Sequence, residues 1–374
     1  MAADAIDTDQ KDSAHKAREF FMLSPTYELS APAESMLEER PNDLRAKVAF
    51  LSRTESYPER PTAVEVIQTH MSFVFLTGQY AYKLKKPVRY EYLDFSTLEA
   101  RRIDCDEEMR LNRRLARDVY LDVVALTRVP EGELRLGGEG EPVEWLVKMR
   151  RLPCELMLDH ALREHQLTRE DVRRFMHVLI EFYTRAEPVP ISAAQYCRRF
   201  EHDMVSTHRE LASPSYGLDR TVQDLVTRGQ LAFLERCSSL LERRVADRRI
   251  VEGHGDLRPE HICLGVKPCM IDCLEFNRQW RLVDPSDEIG YFAMECELLG
   301  ANWVGEVALE TYREHAQDRP PDELVRFYKS CRASLRAKLS AWHLREHLDQ
   351  AARAKWMDRA RRYLDLAAHY ASPS

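Results

Sequence analysis

The sequence predicts an α+β fold in two parts, a small antiparallel sheet carrying one helix and then a larger helical region. Three observations carry this. β-rich segments cluster between about residues 62 and 149, helical periodicity dominates after Pro153, and one loop-and-hairpin segment at 250–276 interrupts the helices. A chain of 374 residues is long enough for two domains with buried cores.

Residues 1–46 read as a partly disordered N-terminal extension: a polar head, the apolar patch Phe20, Phe21, Met22, Leu23, then Pro- and Glu-rich text. The first strand is predicted at Ala63–Ile67. Ser72–Leu76 and Tyr80–Lys85, joined by Thr77-Gly78-Gln79, form a hairpin. Ser96 and Glu99 have capping-box spacing and open a helix running to about Ala116. Strands resume at Asp122–Leu126, Glu133–Leu136 and Trp145–Met149, so that 47–153 forms a sheet lobe. Residues 154–374 form a helical lobe, with helices over 155–164, 168–187, 193–211, 219–245, 286–300, 303–317 and 321–370. A cleft between two such lobes is the default place for a ligand.

Composition narrows the function. With 55 Lys+Arg against 62 Asp+Glu, the net charge of −7 and the scattered arginines argue against a nucleic-acid partner. No apolar run approaches the roughly 18 residues of a membrane span, and the polar first residues do not resemble a signal peptide. The expectation is a cytoplasmic protein with no membrane partner. Nine cysteines without a C-x-x-C pair argue against a disulfide framework and a structural zinc. His343-Leu-Arg-Glu-His347 fits a zinc-peptidase pattern, but no Glu follows to complete the ligand set. The chain also lacks a G-x-S-x-G elbow and a P-loop.

The interruption carries the chemistry. It reads Ile250-Val-Glu-Gly-His254-Gly-Asp256-Leu-Arg-Pro-Glu-His261-Ile-Cys-Leu264 and, after a turn, Cys269-Met-Ile-Asp272-Cys-Leu-Glu275-Phe-Asn277. Two glycines and a proline fix a tight loop presenting His254 and Asp256, and a short hairpin brings Asp272 back beside it. Paired carboxylates suit phosphoryl transfer, one orienting the accepting hydroxyl and the other holding a metal.

H-G-D-L-x-P-x-x-I followed by I-D-x-x-E resembles the catalytic and metal-binding segments of aminoglycoside phosphotransferase and choline-kinase-like enzymes, which share a two-lobed protein-kinase-like fold. THMSFVFLTGQYAYKLKKPV and CDEEMRLNRRLARDVY resemble a bacterial branch of that superfamily that is often fused to a P-loop kinase domain. The resemblance runs from about residue 47 to about 345. It implies Asp256, with His254 beside it, as the catalytic pair, and Asp272 as a magnesium ligand. It implies Lys83 on the phosphates of ATP with Glu108 as its ion-pair partner. Backbone contacts to adenine would come from 147–150, Lys148 and Met149 among them. Thr69–Ser72 would replace a Gly-rich phosphate loop, with Ser72 offering its hydroxyl and N–H, and Asp287 would help anchor the catalytic loop. Taken alone, Lys83 and Lys85 read as the wet face of a strand, and Lys85 shares the face of Lys83.

The pattern departs at His261, where related enzymes place a metal-binding Asn. Imidazole suits softer ions than magnesium. Three readings follow: manganese or a single magnesium, substitution by Glu275 or Asn277, or nucleotide binding without turnover. The leading expectation is an ATP-dependent phosphotransferase, with ATP, Mg2+ or Mn2+, and an unidentified small-molecule hydroxyl or amine acceptor as partners. The acceptor pocket is expected near Glu275, Asn277 and Tyr328–Lys338. There Arg332, Arg336 and Lys338 point either to an anionic acceptor or to a solvated basic face. The alternatives are a regulatory pseudokinase with a protein partner, AMP transfer on the same scaffold, and pairing with a separate P-loop kinase.

Overall fold

The computed structural model describes residues 41–90, 92–345 and 348–372, so the Phe20–Leu23 patch and the second histidine of His343–His347 lie outside the described residues. The chain divides into two compact units. One comprises residues up to Ala161 together with Glu260–Arg278; the other comprises Leu162–Pro259 and the chain from Gln279 onward. The sequence places a boundary at Pro153 and keeps 253–277 in the helical part. The structure divides that loop after Pro259. The reason is local pairing: Met157 bridges Cys263, and the Leu264 N–H donates to the Leu156 carbonyl at 2.7 Å.

In the first unit, six strands form an antiparallel sheet. They are β1 (Glu65–Gln68), β2 (Ser72–Leu76), β3 (Tyr80–Lys85), β6 (Tyr120–Arg128), β7 (Leu134–Leu136) and β8 (Glu141–Arg150), in the order β1-β2-β3-β8-β6-β7. β4 (Arg89–Tyr90) and β5 (Leu93–Asp94) form a small hairpin beyond β3. Period-2 alternation gives the sheet two faces. Phe73, Phe75, Tyr82, Leu84 and Leu146 share one face with Leu51 of helix α1 (Pro41–Leu51). Val74, Ala81 and Val147 share the other with Cys105 and Met109 of helix α2 (Leu98–Asn112). Part of the expected extension is therefore structural: residues 41–46 open α1, and Asp43 accepts from Arg128 of β6 at 3.0 Å. The helix α2 starts one residue later than its capping box suggests, because Thr97 accepts from the Ala100 N–H while Ser96 bonds Asp94. β10 (Ile262–Cys263) and β11 (Cys269–Met270) complete this unit as an antiparallel hairpin.

In the second unit the helices are α4 (Arg169–Arg185), α5 (Ala193–Leu211), α6 (Arg220–Ala246), α7 (Pro285–Leu298), α8 (Asn302–His315), α9 (Asp322–Trp342) and α10 (Gln350–Ala371), with the short α3 (Leu158–Arg163) leading in. β9 (Val251–Glu252) pairs with β12 (Leu282–Val283) and carries the His254 loop between helices. The single helix expected over 321–370 is two, since Asp349 caps α10 by accepting from the Ala352 N–H. Packing is aromatic: Phe233 stacks on Phe327 at 4.1 Å, and Tyr291, Trp356 and Tyr363 join a second cluster. Arg244 holds Asp284 at 2.6 Å and Asp318 at 2.5 Å, which fixes the start of α7. No helix among the described residues is long and apolar enough to cross a membrane.

Candidate functional site

Lys83 and Lys85 project from the face of β3 that packs on α2, because Lys83 stands opposite Val74 on one side and Val147 on the other. On α2, Asp104 and Glu108 lie one turn apart and so share a helix face. The Lys83 Nζ donates to Glu108 Oε1 and to Asp272 Oδ1, each at 2.9 Å. The Lys85 Nζ lies 2.5 Å from Asp104, 2.6 Å from the other Glu108 oxygen and 2.6 Å from Glu275. Glu108 therefore bridges two lysines. The side chain of Lys83 retains 14% exposure while that of Lys85 retains 1%, so Lys83 is the more accessible of the two.

Burial opposes every charge here, and the partners decide each outcome. Burial works against the Lys83 and Lys85 ammoniums, yet their carboxylates hold both well above the usual lysine value. Burial also opposes the Glu108 carboxylate, but its two lysines bring it below the ordinary value. For Asp104 burial prevails and raises it. For Glu275 burial pushes the value up to about 7 against the pull of Lys85 and Lys83. Four carboxylates face two ammoniums, so with all four ionised the cluster carries two more negative charges than positive ones.

Asp272 holds φ +61°, an uncommon conformation for a residue with a side chain. It is held there on both sides: its N–H donates to the Tyr120 hydroxyl at 3.1 Å, and the Cys273 N–H donates to Asn112 Oδ1 at 2.9 Å. Asn112, the last residue of α2, donates in turn to the Glu108 carbonyl, which orients its amide, so the Cys273 bond ties the loop to α2. The side chain of Asp272 is 45% exposed, and His261 Nε2 lies 3.6 Å from its Oδ2. A carboxylate beside an imidazole is a donor set that fits a divalent ion such as manganese, and the negative excess of the cluster favours a cation.

The second unit carries the His254 loop. Glu288 of α7 is fully buried beneath it and accepts from the His254 N–H at 3.0 Å, the Gly255 N–H at 2.6 Å and the Tyr183 hydroxyl at 2.6 Å. Gly253 makes this approach possible: a Cβ there would meet Val283 at 2.5 Å and the Glu288 carboxylate at 2.8 Å. Asp256 is partly exposed. Its Oδ1 accepts from the Tyr291 hydroxyl at 2.9 Å and its Oδ2 from Arg258 at 3.1 Å. Both oxygens are thus oriented by donors, an arrangement that positions a hydroxyl better than it strips a proton from it.

Several expectations are corrected by this geometry. His254 is fully buried, and its Nδ1 accepts from the Asp256 N–H at 3.3 Å, so it shapes the loop. The loop anchor is Glu288, one residue beyond the expected Asp287, which instead pairs with Arg332 through both oxygens at 2.9 and 2.7 Å. Arg336 pairs with Glu295 at 3.1 Å, so neither arginine is a spare cation for an anionic acceptor. Lys148 and Met149 stand inside β8 and pair with β3 and β6 on either side, so the ladder occupies this stretch. Lys148 points its ammonium over the Tyr80 ring at 4.2 Å. Ser72 is buried, and its N–H donates to Thr69 Oγ1 at 3.0 Å; it closes the 69–72 turn and does not present that N–H to a phosphate.

The structure brings together four of the expected residues, Lys83, Glu108, Asp272 and His261. Asp104, Asn112, Tyr120 and Glu288 join the site without having been expected from the sequence. Asp104 was detectable from its i, i+4 spacing to Glu108. The other three are recognisable only once the chain is folded.

No family model matches the chain. Three uncharacterised mycobacterial proteins, one from Mycobacterium bovis and two from strains of Mycobacterium tuberculosis, are each 31% identical over 299 residues, covering 77% of this chain and 57% of theirs. The chain thus spans a little over half the length of the curated relatives it matches. Among solved structures it is similar to a choline/ethanolamine kinase family protein from Mesorhizobium loti, at 15% identity over 88% of this chain and 99% of that one, with a TM-score of 0.49. It is also similar to a choline kinase from Streptococcus pneumoniae, at 14% identity over 87% and 98%, TM-score 0.46. An aminoglycoside phosphotransferase matches at 13% identity over 84% and 96%, TM-score 0.48.

Proposed function

We propose that the chain is an ATP-dependent phosphotransferase acting on a small-molecule hydroxyl or amine. The observation that carries this reading is Lys83 bridging Glu108 and Asp272 at 2.9 Å each, a fixed, reachable ammonium beside an exposed, oriented carboxylate. The H-G-D and I-D-x-x-E motifs support it.

In this reading Lys83 neutralises phosphate oxygens, and Glu108 sets its position. Asp272 and His261 are the residues that would hold a divalent cation, Mn2+ more readily than Mg2+ because one donor is imidazole. When bound, the ion would neutralise charge on the transferring phosphoryl group. The Asp256 carboxylate, oriented by Tyr291 and Arg258, accepts a hydrogen bond from the acceptor hydroxyl and aligns it. Catalysis is then mainly positioning and electrostatics.

The test is transfer of label from ATP marked at the γ or α phosphorus, using a panel of alcohols and amines with Mg2+ or Mn2+. γ-label appearing in an acceptor and vanishing in Asp256→Ala supports the proposal. α-Label transfer replaces it with AMP transfer. Nucleotide binding without either transfer replaces it with a regulatory pseudokinase.

A further inference from the structure

Nine cysteines are present and all are free thiols. Cys105, Cys154, Cys237 and Cys273 donate S–H to oxygen. Cys263 and Cys269 differ: they stand directly opposite each other across β10 and β11. Directly opposed residues of an antiparallel pair have Cα atoms about 4.5–5.5 Å apart and side chains on one face. A disulfide spans about 4.4–6.8 Å between Cα atoms. The Cα spacing of the pair is therefore within the range a disulfide spans, and closing the bond draws the two side chains together within the hairpin.

Access is graded as such a site requires. Cys263 is buried, Cys269 is partly exposed, and Val266 at the middle of the loop between them is fully exposed. A small neutral oxidant reaches the outer sulfur, and the inner thiol is held in place to resolve the product.

We propose that Cys263 and Cys269 form a reversible dithiol–disulfide site on the β10–β11 hairpin, oxidised by a small hydroperoxide. The Cys269 sulfur attacks the peroxide as it gives up its proton: an S–O bond forms, the O–O bond breaks, and the leaving oxygen takes that proton and departs as water (or as the alcohol of an organic peroxide). The Cys263 thiolate then attacks that sulfur; the S–S bond forms, the S–O bond breaks, and the hydroxide leaves as water. Two electrons pass from the thiol pair to the peroxide. An external dithiol restores both thiols by exchange.

The hairpin sits between two residues of the candidate site. The Ile271 N–H donates to the His261 carbonyl at 2.9 Å, and Asp272 follows directly. Closing the bond acts on the segment that carries His261 and Asp272. The site itself rests on the hairpin alone and stands whether or not the chain transfers phosphate.

The test uses the full reduced chain, treated with hydrogen peroxide, alkylated and mapped by mass spectrometry. The expected result is loss of two of the nine thiols, with the 263–269 peptide lighter by two hydrogens and blocked to alkylation. Dithiothreitol should restore it. Cys263→Ser should stop at a sulfenic acid on Cys269 that dimedone traps, and Cys269→Ser should leave Cys263 largely unoxidised. No thiol loss, loss spread over the other cysteines, or a bridge between any other pair would overturn the proposal. The wild-type map decides this even if a variant fails to fold.

Discussion

Lys83 and Asp272 in the first unit belong to a group of six mutually facing charges, whereas Asp256 in the second unit sits on a loop whose backbone is tied to one buried carboxylate, Glu288. The first arrangement depends on charge balance: Glu108 is shared by two lysines, and Glu275 is held by burial near its protonation threshold. The second depends on satisfied hydrogen bonds and on the missing Cβ of Gly253. Chemistry that needs positioned charge can thus be preorganised by opposed charges or by donors aimed at one acceptor. The two respond differently to substitution and to pH.

The largest effect should come from breaking the charge balance where it is most buried. Lys85→Met removes the ammonium from three carboxylates and should cost about 3–5 kcal/mol in denaturant unfolding. Lys83→Met should cost much less, about 1 kcal/mol, since Asp272 reaches solvent and Glu108 keeps Lys85. It should instead abolish most ATP affinity. Equal stability losses for the two variants would erase the distinction between a structural and a ligand-facing lysine.

In the second unit, Glu288→Ala strands two buried N–H groups and the Tyr183 hydroxyl, at a cost of about 2–3 kcal/mol. Gly253→Ala should cost about 1–3 kcal/mol by forcing Val283 and Glu288 apart. Thermal unfolding measures both. If hydrogen bonds rather than charge hold this loop, its variants should lose the same stability at low and high salt.

The smallest effect is a pH dependence specific to the charged cluster. In the folded protein Glu275 is raised from 4.5 to about 7. The folded state therefore holds a proton that the unfolded state has already released. Stability should fall as pH rises from about 4.5 to about 7 and then level off. Glu275→Gln should flatten this part of the profile in urea titrations at stepped pH. An unchanged slope would mean that Glu275 is ionised throughout.

Much of this was legible in the sequence. Period-2 alternation gave the strands, and the H-G-D and I-D spacings gave Asp256 and Asp272. Lys83 and Glu108 were legible as a strand lysine and a helix acid. The misses share a physical cause. Whether Lys83 or Lys85 faces a ligand depends on depth beneath α2, which periodicity does not encode. Asp287 and Glu288 are neighbours on one helix, and the direction of each was set by Arg332 and by the Gly253 loop, both distant in sequence. His254, Ser72, Lys148 and Met149 are all of chemically suitable types or positions. Each is committed to turn, ladder or burial contacts that arise only from the tertiary fold. The break between α9 and α10 was missed because helical composition continues across it, while Asp349 restarts the helix.

If Lys83 and Asp272 form the proposed metal-dependent nucleotide site, ATP affinity should depend on the metal and on Asp272. Calorimetric titration of ATP tests it most directly, with no metal, Mg2+ or Mn2+, on the wild-type chain and on Asp272→Asn. The expected result is binding that metal strengthens by about ten-fold or more, roughly 1.4 kcal/mol, with Mn2+ ahead of Mg2+, and loss of that gain in Asp272→Asn. Binding of equal strength in all three conditions and in both proteins, or no binding at all, would contradict it.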